Sequence, residues 1–74
     1  MQSFSDWVCS VGGTERAAHL LNRPEKTIDS WVTLYRHPSI ENIQHIEDTI
    51  GVDVIDFSAW RAAYLRHKGD YPAL

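Results

Sequence analysis

Thr14-Glu15-Arg16-Ala17-Ala18-His19-Leu20-Leu21-Asn22-Arg23-Pro24-Glu25-Lys26-Thr27-Ile28-Asp29-Ser30-Trp31 reads as two short helices meeting at a tight turn. Helices that cross closely need a small residue where their backbones meet, and Ala18 supplies it. Apolar residues must bracket the turn: Ala17 and Leu21 before it, Ile28 and Trp31 after it. The turn requires a residue content with positive φ, and Asn22 is one of the few non-glycine types that tolerates it. Pro24 suits the first turn of the next helix, where its missing N–H would be unpaired anyway. Thr14 reads as the N-cap of the first helix, with Glu15 favourably placed against the helix dipole.

The second of these helices divides cleanly by chemistry. At about 100° per residue, Ile28, Trp31, Val32 and Tyr35 occupy one arc and Glu25, Lys26, Asp29, Ser30 and Thr33 the opposite one. Arg36 rejoins the polar side, and His37-Pro38 is expected to stop the helix. One face is therefore predicted buried, while the other offers short hydrogen-bonding side chains. A helix that reads base edges in the DNA major groove needs that division.

The spacing of Ala18, Asn22, Ile28 and Trp31 resembles the helix-turn-helix of phage repressor and Cro-type transcriptional regulators. The continuation Trp31…Arg36-His37-Pro38-Ser39…Ile43…Ile46-Glu47 is similar to the passage from the third to the fourth helix of that family. The likeness covers roughly Phe4 to Phe57 and rests on residue sizes. Two positions depart from the pattern: Asn22 stands where the turn residue is usually glycine, and Arg23 where the next is usually apolar. The resemblance implies that Thr14, Glu25, Lys26, Asp29, Ser30 and Thr33 face DNA.

Outward from this unit the chain reads as all-α, a small five-helix helix-turn-helix domain over residues 1–69, with a short tail at 70–74. Phe4, Trp7, Val8 and Val11 form one stripe of a first helix, ended by Gly12-Gly13. Ser39 should cap a fourth helix with Ile40, Ile43, Ile46 and Ile50 inward, closed by Gly51. Asp53 or Asp56 should cap a fifth, carrying Val54, Phe57, Trp60, Tyr64 and Leu65 and ended by Gly69. Trp7, Trp31 and Trp60 lie in apolar stripes and read as core.

The chain has 74 residues and a formal charge of −3, from ten acids against seven Lys and Arg. A nucleic-acid binder is expected to be basic, but the charge is uneven. Between Thr14 and His37, Arg16, Arg23, Lys26 and Arg36 face Glu15, Glu25 and Asp29, a local balance of +1. Between Ile40 and Asp56, Glu41, Glu47, Asp48, Asp53 and Asp56 meet no Lys or Arg. The acid is concentrated outside the segment assigned to DNA.

Cys9 is the single cysteine, so an internal disulfide is excluded and a reducing compartment is expected. The first residues lack the pattern of a secretion signal and no apolar run reaches membrane-spanning length. A bacterial or phage-infected cytoplasm is the simplest setting. His19, His37, His45 and His67 show no metal-ligand spacing, and no nucleophile has a base placed beside it. Neither a metal, a cofactor nor an enzymatic activity is expected.

Arg23 and Arg36, at the two ends of the third helix, are expected to hold DNA phosphates, with Arg16 as a further contact. Lys26, Asp29, Ser30 and Thr33 would supply specificity; a carboxylate such as Asp29 accepts from cytosine N4. Other readings stand beside these: Thr14 as a cap alone, Glu25 as dipole compensation, Asp29 as a partner of Lys26. One module reads few base pairs, so a homodimer on a palindromic double-stranded operator is expected. Its interface is predicted on the fifth helix at Phe57, Trp60, Tyr64 and Leu65, whereas Arg61, Arg66 and Lys68 could instead touch DNA backbone. The competing reading is a protein-interaction module or an antitoxin built on the same fold.

Overall fold

A computed structural model describes residues 1–69, so the tail at 70–74 lies outside the described residues. Five helices follow one another: α1 (Phe4–Ser10), α2 (Thr14–Leu21), α3 (Glu25–Val32), α4 (Ile40–Ile50) and α5 (Phe57–Gly69). The all-α class expected from the periodicity is what the chain adopts. Among the described residues the single β feature is an isolated parallel bridge between Gln2 and Ile55. No described helix is long and apolar enough to cross a membrane.

Local chemistry explains most boundaries. Ser3 caps α1 by accepting from the Asp6 N–H at 3.0 Å. Its far end closes as the N–H groups of Gly12 and Gly13 reach back to the carbonyls of Cys9 and Val8. Both glycines hold φ near +110°, which a side chain would resist. At the end of α2, Asn22 adopts the left-handed conformation (φ 54°, ψ 49°). The N–H of Arg23 then returns to the Ala18 carbonyl at 3.0 Å, which also accepts from the Asn22 N–H, so the chain after the helix is tied back onto its last turn. Ser39 caps α4 through the Asn42 N–H, and Asp56, rather than Asp53, caps α5 through the Ala59 N–H at 3.0 Å.

Four boundary or facing expectations are corrected. Thr14 is not the cap of α2: Gly13 holds that place, and Thr14 is the first helical residue. The third helix stops at Val32, well before His37-Pro38, and Thr33 is its C-cap. Thr33 Oγ1 turns inward to the carbonyls of Asp29 and Ser30, and Leu34 then takes a positive φ of 63°. That conformation costs a non-glycine residue about 1–2 kcal/mol. Packing the Leu34 side chain, partly buried, against the core offsets this, at about 0.8 kcal/mol for each CH2 removed from water. The early stop swings Tyr35 outward, where it is 67% exposed instead of buried. Ile40, expected inward, is 84% exposed in the first turn of α4; Ile46 carries that helix's fully buried position.

The core comprises Phe4, Trp7, Val8, Ala17, Ala18, Leu21, Ile28, Trp31, Ile46, Ile55 and Trp60. Helix α2 packs against α1, α3 and α4, so both the turn and α3 rest on a filled base. Phe4 links the ends of the molecule. Its ring stacks on Trp60 at 4.4 Å and 7° and meets Trp31 edge-on at 5.9 Å. Such aromatic pairs add about 0.5–1.5 kcal/mol each beyond area burial. The N-terminus is stitched down as well: the Gln2 N–H donates to the Val54 carbonyl, and the Gln2 carbonyl accepts from the Asp56 N–H. That stitch seats Ile55 in the core, where it is 1% exposed and not part of an outer α5 surface.

Helix α5 is the weakly held element. Only Trp60 among its residues is buried. Trp60 and Phe57, expected at a dimer interface, therefore serve the protomer's own interior: Trp60 is 5% exposed and Phe57 packs partly buried against the core. A ring committed to Phe4 cannot also face a second copy. Tyr64 is half-buried, beside the His37 ring at 5.3 Å. Leu65, at 53% exposed, remains outward.

Candidate nucleic-acid interface

Ile28 is fully buried and Trp31 nearly so, and together they fix the rotation of α3. The opposite arc is thereby turned outward. Glu25, Lys26 and Asp29 are exposed, and Ser30 is half-buried at the edge of that face. Thr33 is also exposed, although its hydroxyl proton is already given to Asp29 and Ser30 carbonyls. Its methyl group and an oxygen lone pair are what it has left to offer. Arg36 is exposed beyond the helix, tied to it by its backbone N–H on the Ser30 carbonyl at 3.1 Å. Its guanidinium lies over the Tyr35 ring at 5.3 Å.

The structure thus brings Lys26, Asp29 and Ser30 onto one face, with Thr33 and Arg36 following at its C-terminal end. Thr14 and Arg16 stand apart on α2, Thr14 half-buried and Arg16 exposed. Arg23 has a bracing role that the sequence did not announce. It is half-buried, its Nε donates to Asn42 Oδ1 at 2.9 Å and its Nη1 to the Asn22 carbonyl at 3.0 Å. Two of a guanidinium's five donors are thus engaged, one across to α4 and one within the turn, and the other three remain for a phosphate.

Two residues to which the sequence reading gave no role complete this brace. Asn42 anchors Arg23, and the His45 Nε2–H of α4 donates to the Leu21 carbonyl at 2.7 Å. Both partners lie far along the chain, so no local pattern announces them. The effect is a turn held from below by α4, with α3 presented above it. No family model, curated protein or solved structure matches the chain. The site therefore rests on its own chemistry.

That chemistry is mixed. The outward residues of α3 itself comprise two carboxylates and one ammonium, Glu25, Asp29 and Lys26. Carboxylates repel phosphates, but at groove depth they accept from cytosine amino groups. Positive charge lies at exposed Arg36, just beyond the C-terminal end of α3, and at exposed Arg16 on α2. Among the described residues no group of three His, Cys, Asp or Glu side chains is arranged to hold a metal ion.

Proposed function

We propose that this protein is a sequence-specific DNA-binding transcriptional regulator, a repressor or autoregulator of the kind phages and mobile elements carry. It works in the cytoplasm and inserts α3 into the major groove. The observation that carries this reading is the outward polar face of Lys26, Asp29 and Ser30 on a helix seated by buried Ile28 and Trp31. Rigid seating matters because a good bidentate base contact is worth about 1–3 kcal/mol only when its geometry is held. Arg16 and Arg36 supply phosphate contacts at the rim, and Arg23 positions the turn. A homodimer would double the sequence read, with half-sites about 34 Å apart. Exposed Ala59, Ala62 and Leu65 of α5 are the apolar surface that helix leaves for it.

The test is selection of bound duplexes from random DNA, followed by titration of the winning duplex with salt. Binding through several phosphates weakens steeply as salt rises. Lys26→Ala and Ser30→Ala should relax base preference at defined positions. Failure to enrich any sequence at low salt would sink the regulator.

One observation favours a second reading. The belt of Glu41, Glu47, Asp48, Asp53 and Asp56, together with a net charge of −3, suits a surface that meets a basic protein. An antitoxin would join both roles. Under that reading a basic partner protein would protect the acidic stretch of α4 from solvent exchange, and no duplex would protect the α3 face.

A further inference from the structure

A second surface concentrates the opposite charge. The turn after α3 and the last turns of α5 enclose a groove of about 340 Å³ lined by Leu34, Tyr35, Arg36, Tyr64, His67 and Lys68. Apart from Leu34, every lining side chain carries an N–H or O–H donor, and none carries a carboxylate. In a chain with a surplus of acids, a pocket of donors alone is a selective arrangement. Its two full cations are also held in place by aromatic rings. Arg36 lies over Tyr35 at 5.3 Å and Lys68 over Tyr64 at 5.6 Å. Stacking of this kind fixes a cation without neutralising it, which leaves its donors free to point at an anion.

The groove is joined to the proposed reading helix. The Arg36 N–H bonds the Ser30 carbonyl, so the mouth of the groove begins at the C-terminal end of the α3 face. We infer that this groove is a phosphate site, engaged by the DNA backbone strand that runs past the C-terminal end of α3. The inference rests on the regulator reading above and extends the footprint to α5. Arg36 and Lys68 provide the charge, while the hydroxyls of Tyr35 and Tyr64 are additional donors of the type that commonly meets phosphate oxygens.

The experiment is an anisotropy titration of the full chain on its selected duplex across a series of KCl concentrations. Wild type is compared with Lys68→Gln, Arg36→Gln and Gln44→Glu. Gln44 is exposed on α4 and does not line the groove, so the added carboxylate shifts the net charge by the same unit elsewhere. The dependence of log affinity on log salt should become shallower by about one unit for Lys68→Gln and for Arg36→Gln. Gln44→Glu should leave it unchanged, and the order of preferred sequences should be the same in all four proteins. Equal slopes in wild type and Lys68→Gln would overturn the groove while leaving the α3 reading intact, and would direct attention to an acidic protein surface as its occupant. Equal changes in Lys68→Gln and Gln44→Glu would overturn it too, by reducing the effect to net charge. A wild-type chain that binds no duplex removes the regulator and this site together.

Discussion

The α2–turn–α3 unit and α5 solve the same problem, burying one face of a helix, in different ways. The two helices of the unit are short, yet five of their side chains are buried: Ala17, Ala18, Leu21, Ile28 and Trp31. The turn is also braced by Arg23 and His45. Helix α5 has 13 residues and buries Trp60 alone. Rigidity follows the number of independent anchors and not helix length, because elements with few buried contacts open at low free-energy cost. The reading face is therefore the stiff part, and the arm behind it has Trp60 as its one fully buried anchor, with Phe57 and Tyr64 only partly covered.

The largest test of that contrast is Trp60→Ala. Removing a buried tryptophan costs about 3–5 kcal/mol, comparable with the whole stability of a domain this size, at about 0.05–0.15 kcal/mol per residue. Urea titration should show a chain mostly unfolded or lacking α5; a loss under 1 kcal/mol would break the single-anchor picture. Next comes Ile28→Ala, expected to cost about 2–5 kcal/mol. It should also loosen DNA binding in whatever fraction stays folded, checked by denaturation and anisotropy on the same sample.

Leu34 permits a finer cut. Leu34→Ala and Leu34→Gly both discard the packed side chain, but only alanine keeps the penalty of a left-handed backbone. The glycine variant should be the more stable of the two by about 1 kcal/mol, and equal melting temperatures would contradict the φ of 63°. Asp56→Ala removes the cap of α5 and should cost about 1 kcal/mol, with amide exchange accelerating first in that helix. Leu65→Ala, by contrast, should change monomer stability by less than about 0.5 kcal/mol. A larger drop that depends on protein concentration would mean Leu65 meets a second copy.

The same contrast governs what could be read from sequence. Asn22, Gly12, Ser39 and Gly51 mark helix ends through local backbone chemistry, and the structure uses each of them at an end. The buried arc of α3 followed from its period, because Ile28 and Trp31 need only their neighbours in one helix. The C-terminal end of α3 was not legible. Its stop depends on a leucine in a conformation leucine normally avoids, and what compensates is a core assembled from distant segments. Tyr35 was misread with it. The brace of Arg23 was hidden for a related reason: its partner Asn42 lies on another helix, and nothing near the turn encodes the pairing. Trp60 was read both as core and as interface, and it is packing against Phe4 that decides between them.

The stitch between Gln2 and the segment around Val54 and Asp56 has a consequence for assembly. It joins the first residues to the segment before α5, so closing it, like seating Phe4 on Trp60, carries a far greater loop entropy than the local contacts of the turn. Contacts of such long sequence separation form late. The turn and its two helices, whose contacts are local, can be in place while the two ends are still apart. Extending or trimming the first residues should therefore slow the docking of α5 and barely alter how quickly the α2–α3 pair collapses.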